Sequence, residues 1–259
     1  MTKKVIALTN HKGGVGKSAT SINLAADLAL LNQRVLLIDA DPQGATTRGL
    51  GFNEWEVKKQ MIDVMLGRCS LVDVALPTCV PGLDVAPCNL DLSGAETEVS
   101  RQEVAGREFI LRDRITEANV YDYVIIDTSP CLGFLVVNSI IAATDLIIPM
   151  QCEFYALNGI TQLVKIIDMA GLALERVAHA KRPKVRVLLT MYDARANLHK
   201  TVVEKIRADY GKAVFDTMIP RSIKIAESPV TGKPIALYDP GSTGDIAYKK
   251  LAEEVLNDQ

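Results

Sequence analysis

Short apolar runs recur along the chain, separated by longer stretches in which apolar and polar positions follow a helical period. Residues 5–9, 35–39, 123–127, 146–149, 185–190 and 214–219 are mostly continuous Val, Ile and Leu. Short apolar runs without polar alternation are how strands covered on both faces read. Between them, residues 18–31 place Ile22, Ala25, Ala26 and Ala29 on one helical face, and residues 134–143, 157–170, 198–210 and 246–256 repeat the amphipathic spacing. Such alternation predicts parallel strand–helix–strand units. The expected fold class is α/β, a three-layer, mostly parallel twisted sheet with helices on both faces. Residues 51–120 alternate less clearly, and extra helices with one strand at 83–86 are expected there. No Gly/Ser linker, internal repeat or low-complexity tract interrupts the pattern, so residues 1–259 read as a single domain.

Composition adds little until it is divided. The 259 residues carry 29 Lys plus Arg against 31 Asp plus Glu, a formal net charge of -2, which taken whole argues against a basic nucleic-acid binder. Residues 1–178 sum to -6, residues 179–212 to +6 and residues 213–259 to -2, so the average hides one basic block. The five cysteines form no CxxC pair and no HxxxH spacing occurs, which argues for free thiols and against a zinc site. No apolar stretch reaches the ~18 residues of a membrane span. A cytoplasmic protein is expected.

The first predicted strand runs into Asn10-His11-Lys12-Gly13-Gly14-Val15-Gly16-Lys17-Ser18, and the first predicted helix follows. An open α/β sheet binds ligands at this junction. The standard phosphate loop, GxxxxGK[ST], fails here by one residue, because His11 stands at the first glycine position. The physics survives: glycines let successive N–H groups turn toward phosphate oxygens, and the helix N-terminus adds partial positive charge. Lys17 would reach the β- and γ-phosphates, and the Ser18 hydroxyl would ligate Mg²⁺. Lys12 is the unusual residue, since a second ammonium repels Lys17 unless more negative charge separates them. Either it is a solvated loop lysine, or it points out of its own site toward a second subunit's phosphates. Asp39-Ala40-Asp41-Pro42-Gln43 closes the second strand, and Val124-Ile125-Ile126-Asp127 is an apolar strand ending in the acid that holds Mg²⁺. Asp41 is the candidate for activating the attacking water and stands with Ser18 and Asp127 in the metal set. Asp39 is expected to support the strand end.

These residues together resemble the ParA/Soj partition ATPases of the deviant-Walker class, which also holds MinD and the nitrogenase iron protein. The resemblance continues through Glu153-Phe154-Tyr155-Ala156-Leu157, Leu188-Leu189-Thr190-Met191-Tyr192-Asp193, Ile219-Pro220-Arg221 and Ala226-Glu227-Ser228-Pro229, over nearly the whole chain. It implies a P-loop ATPase with ATP and Mg²⁺ as cofactors and weak intrinsic hydrolysis. Gly13, Gly14, Val15, Gly16, Lys17, Ser18 and Ala19 would hold the phosphates, and Met191, Pro220 and Arg221 would lie beside the adenine. It also implies an ATP-dependent sandwich homodimer, with Lys12 crossing to the partner's phosphates and Gly13 at the seam. Nonspecific double-stranded DNA and a ParB/Spo0J-type centromere-binding protein would be its partners, and its place would be the nucleoid. The chain departs from the family pattern at His11, usually Gln, at Ser18 and Ala19, usually Thr, and at Ser129 in the run after Asp127. The basic block gives the DNA contact candidates: Arg195 and Lys200 near a helix start, with Lys224 in a later loop. A MinD-like positioning ATPase is the alternative, weakened by the acidic C-terminal helix, which suits anionic lipid poorly.

Overall fold

The computed structural model describes residues 4–101, 106–153 and 160–258. In chain order its elements are β1 (Lys4–Leu8), α1 (Lys17–Leu30), β2 (Val35–Ala40), α2 (Ala45–Gly49), α3 (Met61–Met65), α4 (Leu71–Val74), β3 (Leu76–Pro77), β4 (Leu83–Ala86), α5 (Ala95–Arg101) and α6 (Ile110–Glu117). They continue with β5 (Tyr123–Thr128), α7 (Phe134–Ala142), β6 (Asp145–Gln151), α8 (Ile160–Val177), β7 (Lys184–Tyr192), α9 (Asn197–Tyr210), β8 (Val214–Pro220), α10 (Ile223–Glu227), α11 (Ile235–Tyr238) and α12 (Thr243–Asn257). Among the described residues, eight strands form one sheet in the order β3-β4-β2-β5-β1-β6-β7-β8. Every neighbouring pair is parallel except β3 with β4.

The continuous apolar runs fold this way because each strand feeds two cores. Along β5, Tyr123 and Ile125 join the core beneath α1 and α12, while Val124 and Ile126 join the core beneath α7 and α8. Ile6 and Leu8 of β1 divide from Val5 and Ala7 in the same way. Successive strand side chains point to opposite faces, so a strand covered on both must be apolar throughout. The three-layer α/β expectation is met.

The departures are local. β3 is a two-residue antiparallel edge containing Pro77, too short for any periodicity to show. α10 and α11 are helices of 5 and 4 residues, below the length at which a helical period can be read. The helix expected at 157–170 runs through Gly171 to Val177; the bare Gly171 backbone leaves room for the Arg182 side chain, so this glycine is a packing contact and not a stop. Residues 157–159 of that expectation, and most of the Glu153-Phe154-Tyr155-Ala156-Leu157 stretch, lie outside the described residues.

Candidate phosphate-binding site

The parallel strands all end on one edge of the sheet, and the chemistry predicted from the sequence collects there. β1 lies between β5 and β6, so the loop after it is flanked by the ends of both. β2 and β5 pair in a register that sets Asp39 beside Asp127. Gly14 (φ 75°) and Gly16 (φ 89°) occupy the left-handed region, which only glycine enters freely, and they turn the loop into α1. Gly16 caps α1 without any side-chain hydrogen bond to the first turn, so those N–H groups stay available to an anion.

The two loop lysines diverge. The Lys17 ammonium is buried and folded back onto the loop, donating to Asn10 O (3.0 Å) and Lys12 O (3.3 Å). Burial lowers its pKa, and the nearby Asp127 and Asp41 carboxylates oppose that. The Lys12 ammonium instead leaves the loop and donates to Glu153 Oε2 (2.8 Å) and Gln151 Oε1 (3.1 Å) at the end of β6. That divergence resolves the repulsion anticipated between them.

The carboxylates are distinguished by what holds them. Asp127 is fully buried and accepts from Thr46 Oγ1 (2.6 Å) and Ser21 Oγ (3.1 Å), and the Ser18 hydroxyl lies near enough to help lower its pKa. Asp39 is equally buried and accepts from the Thr47 N–H (2.8 Å) and Oγ1 (2.7 Å), the supporting role expected of it. Burial is the largest cause raising both pKa values; the Asp127 charge adds to the rise at Asp39, and the hydroxyl donors oppose it at Asp127. Asp41 accepts from the Gln43 N–H (3.0 Å) and retains slight exposure. Ser18, Asp41 and Asp127 thus share one region of hard oxygen donors. No group of three or more His, Cys, Asp or Glu among the described residues could hold a metal alone.

Beyond the loop lies a cavity of about 380 Å³, whose lining includes Gly16, Ala19, Met191, Pro220, Arg221 and Pro229. The structure therefore brings Met191, Pro220 and Arg221 beside the phosphate loop. Met191 adopts φ 53°, unusual for a residue with a side chain. The basic candidates fare differently. Arg195 is bound bidentately to Asp193, and Lys224 is paired with Glu227 at 3.1 Å near the Tyr238 ring. Lys200 is exposed and makes no ion pair among the described residues. Sequence reasoning missed Thr46, Thr47 and Ser21, which clamp the carboxylates, and Gln151, which bonds Gly14 O (2.9 Å). Two adjacent threonines just after the Asp41-Pro42-Gln43-Gly44 run, and a serine one turn after Ser18, were the available signals.

The AAA domain family matches residues 3–178. The chain is 44% identical to the chromosome partitioning protein ParA of Caulobacter vibrioides, over 98% of this chain and 94% of that protein. It is 42% identical to the sporulation initiation inhibitor protein Soj of Bacillus subtilis, over 97% and 98%. The chain belongs to the ParA/Soj family. Among solved structures, cobyrinic acid a,c-diamide synthase from Mycobacterium smegmatis, with bound ATP analogue and magnesium, superposes with a TM-score of 0.83 at 32% identity, covering 99% of this chain and 95% of that one. The ParA/Soj assignment accounts for the phosphate loop standing at the switch point of the sheet, between β5 and β6.

Proposed function

We propose that this ParA-family chain is an ATP-dependent DNA-partition ATPase. Residues 13–19 would bind the ATP phosphates, with Lys17 on the β- and γ-phosphates, and Met191, Pro220 and Arg221 would enclose the base. Ser18 would ligate Mg²⁺, Asp127 would hold its shell, and Asp41 would orient the attacking water at its edge. The metal would offset charge on the phosphates. Asp39 and the Thr46–Thr47 hydroxyls would keep the acids in place without touching the nucleotide. ATP binding would close a homodimer in which Lys12 serves the partner's phosphates, as an arginine finger does. The dimer would bind duplex DNA nonspecifically through its backbone, and a ParB-type protein would accelerate a slow hydrolysis. The nucleoid would be its place of action, and residues 1–259 would act as one domain.

The observation that carries this reading is Lys12: its ammonium leaves the loop for the end of β6, while that of Lys17 folds back onto the loop backbone. Gly13 supports it, because a Cβ there would meet nothing within 4 Å among the described residues, so none of them calls for a glycine. The basic block is weaker support than its +6 suggests. Arg182 pairs with Glu175, Arg186 with Glu254 and Asp258, Lys184 with Asp258, and Arg207 with Asp216. DNA co-sedimentation with ATP, with ADP and with the Lys12→Ala variant tests the reading. Binding only by the wild type with ATP supports it, and equal binding in all three would remove the nucleotide-gated dimer. In the described residues no helix is long and apolar enough to cross a membrane.

A further inference from the structure

Lys12 is held by its own chain at several points. Its N–H donates to Asn10 Oδ1 (3.0 Å), and Asn10 donates in turn to Pro149 O (2.8 Å) within β6. Its ammonium then lies along the end of that strand, on Gln151 Oε1 and Glu153 Oε2. The Gln151 amide is engaged in both directions, since its Nε2 donates to Gly14 O (2.9 Å) and to Met191 Sδ (3.1 Å). An ammonium can only donate, so Oε1 facing Lys12 obliges Nε2 to face Gly14 and Met191. One side chain thereby joins the second lysine, the phosphate loop and the wall of the adjoining cavity. At the cavity end, Met191 is in the left-handed region, a conformation that persists only where the surroundings hold it.

We infer that Glu153 and Gln151 form a latch that keeps Lys12 back in the free subunit, and that dimer closure has to break the Lys12–Glu153 pair. The inference rests on the proposed function, in which Lys12 serves the partner's nucleotide. An ammonium bonded to Glu153 of its own chain is withheld from any phosphate across a dimer seam. The pair is half exposed, 45% for the Lys12 side chain and 55% for that of Glu153, so it sets a threshold and not a block. Both copies break together, so the threshold counts twice in the dimer constant. A base seated in the cavity against Met191 would compete for the contact that orients Gln151, which links occupancy of the cavity to release of Lys12.

Sedimentation velocity of the full chain with a non-hydrolysable ATP analogue and Mg²⁺ tests the latch. Glu153→Gln and Glu153→Ala should each tighten the dimer by roughly 3–10-fold at low salt. The gain should shrink at high salt, because a screened pair no longer holds Lys12. A merely structural role for Glu153 would weaken the dimer or leave it unchanged. If either variant does so while the wild type dimerises and Lys12→Ala does not, the latch is wrong and the proposed function stands. If the wild type fails to dimerise with the analogue, or Lys12→Ala dimerises equally well, the proposed function fails and the latch with it.

Discussion

Asp127 depends on its hydroxyl donors, because a fully buried carboxylate is tolerated only where hydrogen bonds replace water. Thr46 supplies the shortest of them at 2.6 Å. Thr46→Val keeps the shape and removes the donor, and should cost about 1–3 kcal/mol in urea unfolding of the nucleotide-free protein. The same variant should weaken Mg²⁺-dependent nucleotide binding, measured by titration, since Asp127 would no longer be held beside Ser18. Asp39, Asp41 and Asp127 were legible in the sequence because each closes an apolar strand. Their clamps were not, because Thr46 and Ser21 reach Asp127 from sequence separations of 81 and 106 residues. Spacing carries no record of contacts made that far apart. Arg186 shows the same limit: counted as part of a basic surface, it is a partly buried residue stacked over Phe215 at 3.7 Å.

At the scale of elements, the α1–α12 contact carries a pH dependence. Asp27 on α1 is buried, and its Oδ2 lacks a hydrogen-bond partner among the described residues. Burial, with Asp245 and Glu253 of α12, raises its pKa to about 7, while Lys249 opposes the rise. The folded state therefore binds a proton that an unfolded Asp releases near pH 4. This contribution is full below about pH 4, falls as pH rises toward 7 and is flat above it. Asp27→Asn should remove that slope and leave the protein about 1–3 kcal/mol more stable than wild type at pH 8, read from unfolding curves across the range. Glu254 belongs to the same helix and accepts from the Asp216 and Thr217 N–H groups as well as from Arg186. Glu254→Ala should cost about 1–3 kcal/mol in urea unfolding, since it removes one of the two carboxylates on Arg186, leaving Asp258, and the acceptor of two backbone donors. The long helices were legible from their apolar faces, whereas α10 and α11 were too short to show one.

For the whole molecule, the question is how much charge remains after folding. Pairing of Arg182, Lys184, Arg186 and Arg207 with acidic residues from outside the basic block leaves less free positive charge than the linear count implies. Lys200 should then matter more for DNA than Arg195, whose charge Asp193 already offsets. Lys200→Ala should lower the salt slope of ATP-dependent DNA binding by roughly 2 per dimer, and Arg195→Ala by less. Equal slopes for the two variants would contradict this ordering. The fold class was legible because a two-faced sheet demands continuous apolar strands. The surviving surface charge was not, because it depends on which side chains meet after folding.

The central place of β1 also sets the order in which the chain can be completed during synthesis. β1 is made first, yet its neighbours are β5 and β6, more than a hundred residues downstream. Until residue 151 has been made, one edge of β1 has no strand to pair with, and the loop after it lacks both Gln151 and Pro149. Contacts of such sequence separation form slowly and leave unpaired edges exposed meanwhile. A nascent chain halted before β6 should therefore be cut by protease within residues 10–18, and the same segment should become resistant once β6 has been added.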